Sequence, residues 1–288
     1  MSGSAARRLQ SHAGPATAGY HAMPVPTPRY LPLPPVPRPA GPAPSWSAVL
    51  AQDSAVLRQA RPGQLDQPFA AADWCRWDLF PAADPNRPCL VILHGAGSAA
   101  GEWRSGDRRD CGALADGLRD HGWASALPGR GHVPQASPTR IVHETHRALD
   151  WLAAQGARHG LGGPVVLAGW GAGALLAALL LDHPVVAAGI GLCGEYELEG
   201  YAGLGATELE AAALSPSQLP VVRKRFILAH DGGTSAASAT AFHEVRGAAG
   251  GGGRLIGLPG QGLGRLLDSL RAPDGALCRA VLELLPGA

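Results

Sequence analysis

The sequence predicts an α/β fold in which helices cover both faces of a mostly parallel β-sheet. From about residue 46 to the end, short apolar runs alternate with longer segments of helical periodicity, as in repeated strand–helix units. Glycine follows five predicted strands, at Gly95, Gly169, Gly194, Gly232 and Gly260, where tight turns with positive φ would lead into helices. We find no internal repeat, so residues 46–288 are expected to form one domain.

The predicted strands are short apolar runs bounded by turn residues. Residues 89–93, Cys-Leu-Val-Ile-Leu, are apolar throughout, and residues 185–192 also form an apolar run. Runs of this kind are typical of strands buried on both faces of a parallel sheet. The expected strands are residues 75–80, 89–93, 123–127, 164–168, 185–192, 226–230 and 254–258.

The predicted helices show apolar positions at helical spacing. In residues 139–155, Ile141 and Leu149 fall on one apolar stripe, and the helix at 207–214 ends at Ser215-Pro216 because proline cannot continue a helix. The expected helices are residues 111–121, 139–155, 172–181, 207–214, 236–248 and 276–285.

Residues 1–45 differ from the rest in composition. Ten of the 26 prolines fall between Pro24 and Pro44, and this density favours extended polyproline II over helix or central strand. We expect a disordered tail or linker. The segment is also rich in arginine and free of acidic residues, as organelle-targeting peptides are, and Arg29 to Pro35 fits an SH3-type ligand that would bind a protein partner.

Composition argues against several classes of function. The net charge is +1, which argues against nucleic acid as a partner. The five cysteines are an odd number, and no two lie close in sequence. We therefore expect reduced thiols in a cytoplasmic protein rather than disulfides or a cysteine–zinc site. No apolar run reaches the roughly 20 residues of a membrane-spanning helix. The sequence does not indicate an oligomeric state.

Two predicted strand ends carry motifs of acyl-transfer chemistry, because ligands of open α/β sheets bind at the carboxyl ends of the strands. His94-Gly95-Ala96-Gly97 would present backbone N–H groups to a developing oxyanion, with the N–H of Ala172 as a further donor. Residues 169–173 have the strand–turn–helix context of a nucleophile elbow, G-x-S-x-G. Gly171 occupies the serine position, and glycine has no side chain that could attack a carbonyl.

Two further strand ends would hold the acid and the histidine of a catalytic triad. His230 and Asp231 stand where the acid is expected, and residues 258–264 stand where the histidine is expected. No histidine occurs after His243. The sequence therefore lacks both the nucleophile and the base that efficient triad hydrolysis requires.

From about residue 46 to the end, the chain resembles the arylformamidases (kynurenine formamidases) of the α/β-hydrolase superfamily. The motifs that carry the resemblance are Asp78-Leu79-Phe80-Pro81, His94-Gly95, residues 103–110, the elbow at 169–173, residues 194–199, Leu214-Ser215-Pro216 and the helix at 277–285. The resemblance implies an α/β-hydrolase fold and hydrolysis of aryl formamides by a Ser-Asp/Glu-His triad, without a metal or other cofactor.

The chain departs from the family pattern at the triad positions. Gly171 replaces the serine, the family acid falls at Thr234 or Asp231, and the family histidine falls at Gly262 or Leu263. The oxyanion loop is also longer than in the family. We therefore expect an arylformamidase-like pseudoenzyme whose cleft binds a small ligand or a protein partner.

Other residues could replace the missing groups, and they define the alternative of an active hydrolase. Cys193 follows the strand after the elbow helix, although a buried inert thiol is the simpler interpretation. His230 and Asp231 could form an acid–base pair, although adjacent residues at a strand end usually point apart. Ser98 and Ser235 are loop serines without an evident base.

Two motifs fit other chemistry only in part. His143-Glu144-Thr145-His146 lacks the i, i+4 spacing of a zinc-binding His-Glu-x-x-His helix and shows no third ligand, so we expect a solvated helix face and no metal. Gly169-x-Gly171-x-x-Ala174, with Glu195 as a ribose-binding acid, satisfies the dinucleotide fingerprint. A dinucleotide-binding protein is therefore a minor alternative.

Overall fold

The computed structural model describes residues 45–60, 64–95, 107–133, 135–198, 206–260 and 262–285. The predicted Pro-rich tail lies outside the described residues, apart from Ser45. The predicted loop residues Ala96, Gly97 and Ser98 also lie outside them, as does the 103–106 part of the arylformamidase-like run.

The described residues alternate between strands and helices along the chain. The strands are β1 (Gln64–Pro68), β2 (Arg76–Phe80), β3 (Cys89–Leu93), β4 (Ala124–Pro128), β5 (Val165–Trp170), β6 (Val186–Leu192), β7 (Arg225–His230) and β8 (Leu255–Gly257). The α-helices are α1 (Trp46–Ala60), α2 (Asp116–Asp120), α3 (Pro138–Gln155), α4 (Ala172–Leu179), α5 (Glu208–Ala213), α6 (Ser235–Ala248), α7 (Gly262–Arg271) and α8 (Ala276–Leu282).

The strands form one sheet in the order β1-β2-β4-β3-β5-β6-β7-β8. β2 pairs antiparallel with β1 and β4, and the remaining pairs are parallel, which confirms the mostly parallel sheet. The register places Leu93 beside Gly169, Trp170 beside Leu192, and Leu192 beside Ala229. The carboxyl ends of β3, β5, β6 and β7 therefore share one edge, where ligands of such sheets bind.

Helices cover both faces of the sheet, as successive residues of β3 show. Val91 belongs to one apolar core with Leu149 of α3 and Leu175 of α4. Its neighbour Ile92 belongs to a second core with Leu266 of α7. Because successive strand residues point to opposite faces, a strand buried on both sides is apolar at every position.

Most predicted elements are confirmed within a few residues, but three elements were not predicted. The three are α1, β1 and α7. β1 is a polar edge strand that ends in proline, so it lacks the apolar pattern typical of a strand. α7 contains Gly262 and Gly264, which lower its helix propensity. The predicted helix at 111–121 is wrong in its first half. That half forms a 3-10 turn at Gly112–Ala115 before the short α2, because Gly112 and Gly117 lower the helix propensity.

Within the described residues, none of the helices combines the length and the apolar character that crossing a bilayer requires. All five cysteines are buried and free. Burial raises the pKa of Cys89 to about 12, so this thiol stays protonated at neutral pH and is chemically inert.

Candidate functional site

The connection between β5 and α4 is a sharp turn centred on Gly171. Gly171 has a φ of 52° and a ψ of −121°, a conformation that residues with a Cβ rarely adopt. Its N–H donates to the carbonyl of Leu192 in β6 (3.0 Å), and its carbonyl accepts the N–H of Ala174 in α4 (3.0 Å). The turn is therefore held by both the sheet and the helix.

Three glycines allow the backbone segments around this turn to touch. A Cβ on Gly169 would overlap the carbonyl of Gly173, a Cβ on Gly173 would overlap the carbonyl of Leu93, and a Cβ on Gly95 would overlap the carbonyl of Trp170. The glycine positions of the elbow motif are thus required by close packing, independently of what stands at Gly171.

The prediction of positive φ at strand-end glycines is confirmed at two of five positions. Gly232 has a φ of 90° and Gly260 a φ of 74°. The prediction is wrong for Gly95, Gly169 and Gly194, which lie outside the positive-φ region. At these three positions the requirement for glycine comes from contact with neighbouring atoms.

The predicted oxyanion residues of the described chain lie together beside the elbow. Gly95 follows β3 and contacts the backbone at Trp170 and Gly173. Ala172 is the first residue of α4, where helix geometry leaves an N–H without an intrahelical partner. That the backbone groups of His94, Gly95 and Ala172 bind a developing oxyanion stays a prediction.

A buried arginine fixes the carbonyl of His94. Arg130 follows β4, is 3% exposed, and donates from Nη2 (3.0 Å) and Nε (3.3 Å) to the carbonyl oxygen of His94. It also donates from Nη1 to the carbonyl of Gly131. Burial lowers the pKa of Arg130 to about 10, so the guanidinium stays charged at neutral pH. Sequence reasoning missed this residue; its signal was an arginine between two glycines directly after a strand.

The His94 side chain is poorly suited to act as the missing base. Its Nδ1 is buried without a hydrogen-bond partner among the described residues. Burial, followed by the charge of Arg130 and the neighbouring His132 and Arg108, lowers the pKa of His94 well below its usual value. The ring is therefore neutral, and its environment resists the protonation that a general base must undergo.

Cys193 lies at the end of β6 in contact with the residues that follow β7. Its φ of 47° is positive, its side chain is 4% exposed, and its thiol lies close to Ser235 and Asp231. Burial, and then the charge of Asp231, raise the pKa of Cys193 to about 11. Because the thiolate is the nucleophile, this setting disfavours attack by Cys193. Ser235, predicted in a loop, is instead the buried first residue of α6.

His230 and Asp231 each hydrogen-bond within their own turn rather than with each other in the described structure. Nδ1 of His230 accepts the N–H of Gly232 (3.2 Å), and Oδ1 of Asp231 accepts the N–H of Gly233 (3.1 Å). Burial lowers the pKa of His230, so its ring is neutral with the proton on Nε2. The structure thus gives these two residues no acid–base pairing.

Glu195 adds a second carboxyl group near the end of β6. It lies just beyond Cys193 and is half-buried; burial raises its pKa, and a hydrogen bond from Ser238 partly opposes that effect. The hydroxyl of Ser238 also accepts the N–H of Tyr196 (2.9 Å). Sequence reasoning gave Glu195 only a dinucleotide role and missed Ser238.

No protein-family model matches the chain, and no curated protein sequence matches it. Solved structures do match. A protein assigned as a thioesterase from Silicibacter sp. TM1040 superposes with a TM-score of 0.69 at 21% identity, covering 82% of this chain and 91% of that one.

Two esterases give similar superpositions. Thermogutta terrifontis esterase 2, phosphoramylated by tabun, has a TM-score of 0.63 at 18% identity, with 79% of this chain and 98% of that chain covered. Esterase B from Lactobacillus rhamnosis, with a tributyrin phosphonate inhibitor, has a TM-score of 0.62 at 16% identity, with 83% and 93% covered. The chain has the α/β-hydrolase fold.

In the α/β-hydrolase fold the nucleophile stands on the sharp strand-to-helix turn, and the triad acid and histidine follow it in the chain. In this chain the turn carries Gly171, and Asp231 directly follows β7. Thr234, the other position considered for the acid, directly precedes α6. The positions expected for the histidine, Gly262 and Leu263, are the first residues of α7. The hydrolase fold is present, and the residues at the positions predicted for the nucleophile and the histidine are Gly171 and Gly262 or Leu263.

Proposed function

We propose that this protein is an arylformamidase-like pseudoenzyme, which binds a small organic ligand at the elbow and does not hydrolyse it by a serine triad. The observation that supports this most is Gly171 at the centre of an elbow whose packing glycines, Gly95, Gly169 and Gly173, are all kept. A turn with this geometry and no nucleophilic side chain fits a site used for binding.

The chemistry around the elbow favours a ligand with a carbonyl or amide group. Backbone N–H groups at Gly95 and Ala172 would donate hydrogen bonds to its oxygen, while the carboxyl groups of Asp231 and Glu195 would accept hydrogen bonds from its N–H groups. The order of arylformamidase-like motifs, from Asp78 onward, supports an aryl formamide or its amine product as the ligand class.

An active hydrolase with relocated groups is the second candidate, and Cys193 is the observation that favours it. A residue with a Cβ at positive φ stores backbone strain, and such strain clusters at functional sites. The raised pKa of Cys193 argues against it. Iodoacetamide labelling followed by peptide mapping separates the two candidates. Rapid, specific labelling of Cys193 at neutral pH, with loss of hydrolytic activity, would support the hydrolase.

The test of the pseudoenzyme proposal uses the full chain and N-formylkynurenine. We expect the ligand to raise the melting temperature and to be recovered intact by chromatography after prolonged incubation. A fluorophosphonate probe, which labels activated serines, should give no adduct. Stoichiometric conversion of the ligand to product, or a specific serine adduct, would contradict the proposal. NAD(H) at millimolar concentration should leave the melting temperature unchanged, since a shift would favour the dinucleotide alternative.

We further propose that the protein works in the cytoplasm and that a protein partner binds the Pro-rich segment at residues 1–45.

A further inference from the structure

Two histidines and an aspartate meet far from the elbow. His146 and Asp150 lie one turn apart on α3, and His183 lies in the turn between α4 and β6. A turn that precedes a parallel strand lies at the sheet edge opposite to the strand's carboxyl end. The three residues, here called the His-Asp-His cluster, therefore lie at the amino-terminal ends of the parallel strands, whereas Gly171 lies at their carboxyl ends.

The separations within the His-Asp-His cluster suit a metal ion. Nδ1 of His146 lies 3.2 Å from Oδ2 of Asp150, and Nε2 of His183 lies 3.2 Å from Oδ1 of Asp150. One ligand atom from each residue lies within 4.8 Å of the others. In tetrahedral zinc sites, bonds of about 2.0–2.1 Å place neighbouring ligand atoms about 3.3 Å apart. Each imidazole nitrogen thus lies at about that distance from one carboxylate oxygen of Asp150, His146 from Oδ2 and His183 from Oδ1.

The surroundings of the cluster provide both rigidity and access. His183 is buried, at 3% exposure, while the side chains of His146 and Asp150 are about half exposed. The two imidazole rings meet edge to face with centroids 4.7 Å apart. The open side leaves room for a water ligand.

We propose that His146, Asp150 and His183 bind a divalent transition-metal ion, with Zn²⁺ as the ion whose ligand preferences fit best. Two imidazole nitrogens and one carboxylate oxygen with an open position form a common ligand set for such ions. The ion would link the middle of α3 to the turn before β6. Its role is to stabilise the fold, since it stands away from the candidate cleft.

Metal binding would change the tautomer of His183. Its Nδ1 accepts the N–H of Val185 (3.3 Å), so in the metal-free protein the ring proton is on Nε2 and faces Asp150. A metal on Nε2 displaces that proton; a neutral ring then carries its proton on Nδ1 and loses the Val185 hydrogen bond. Lys224 donates to the carbonyl of His183 (2.8 Å), so its positive charge lies near the proposed site and would repel the metal ion.

The sequence does not reveal this cluster because its members are spread over two elements. The motif at 143–146 draws attention to His143, which is not part of the cluster, and Glu144 is buried rather than on the expected solvated face. Glu144 instead accepts the Nε1–H of Trp74 (2.9 Å) and the N–H of Gly131. The i, i+4 pair of His146 and Asp150 was the available signal.

The test uses the untagged full chain, stripped of metal with a chelator, titrated with ZnCl₂ by calorimetry at neutral pH. We expect the chain to bind one equivalent of Zn²⁺ with a Kd on the order of micromolar or tighter. When Co²⁺ replaces Zn²⁺, the protein should show the visible absorption of tetrahedral Co²⁺. With free metal at 100 times Kd, the unfolding equilibrium constant should fall about 100-fold. The NMR signals of His183 should report the proton on Nδ1.

Variants assign the site. His146→Ala and Asp150→Asn change exposed residues, and each should abolish Zn²⁺ binding in this titration. The matched control His143→Ala, on the same helix, should still bind one equivalent of Zn²⁺. Absence of binding to the parent chain would overturn the proposal. So would binding that survives His146→Ala and Asp150→Asn unchanged, because the metal would then be held by other residues.

Discussion

Replacing Gly171 by alanine tests the geometry of the elbow directly. At a φ of 52° and a ψ of −121°, a residue with a Cβ is strained by about 1–3 kcal/mol. For a domain of this size, each kcal/mol lowers the melting temperature by roughly 2–4 °C. We therefore expect Gly171→Ala to lower the melting temperature by roughly 2–12 °C.

The matched control is Gly247→Ala. Gly247 lies within α6, its φ is not positive, and a Cβ there would meet no atom within 4 Å. Alanine at an unstrained helical position stabilises by about 0.4–1 kcal/mol, so this variant should melt slightly higher than the parent. Thermal unfolding followed by circular dichroism measures both. If Gly171→Ala is as stable as Gly247→Ala, the turn does not have the described conformation and the reasoning is refuted.

Three further predictions concern buried polar groups. Arg130→Met should cost about 1–3 kcal/mol in urea unfolding, because the carbonyl of His94 loses both donors; unchanged stability would show that this contact is dispensable. Glu144→Ala should cost about 2 kcal/mol by leaving the indole N–H of Trp74 unpaired, and an indole signal unaltered in NMR would contradict this. Alkylation of Cys193 should be slow at pH 8 and quicken about tenfold per pH unit up to its pKa of about 11; a rate independent of pH would be inconsistent with a buried thiol.

The Gly171 result also bears on why glycine is found there. A serine at this position would carry the same backbone strain, which active hydrolases accept for the sake of catalysis. Without a histidine after His243, a serine would add strain and little reactivity. Glycine removes the strain and keeps the turn, which is consistent with the proposal that the protein is a pseudoenzyme.

The sequence predicted the central strands well because their apolar runs are set by burial on both faces, as in residues 89–93. It failed for β1, a polar edge strand, and for α7, whose glycines hide a helix that packing stabilises through Leu266 and Leu270. The elbow was predictable because Gly169, Gly171 and Gly173 fall within five residues at the end of an apolar strand. The contact of Cys193 with Asp231 and Ser235 was not, because it joins the ends of two strands with no sequence signal between them.

The most direct test of the central claim is steady-state hydrolysis by the full chain, with N-formylkynurenine and p-nitrophenyl acetate as substrates. With glycine at the predicted nucleophile position and no histidine at Gly262 or Leu263, we predict no turnover in the range of ordinary enzymes, about 1–10³ s⁻¹. Any residual rate should be no more than the roughly 10³–10⁴-fold over water that binding and an oxyanion site alone provide. The claim would be contradicted by saturable turnover within the enzymatic range, provided that it is retained after removal of contaminants and lost on substitution of Cys193 or Asp231.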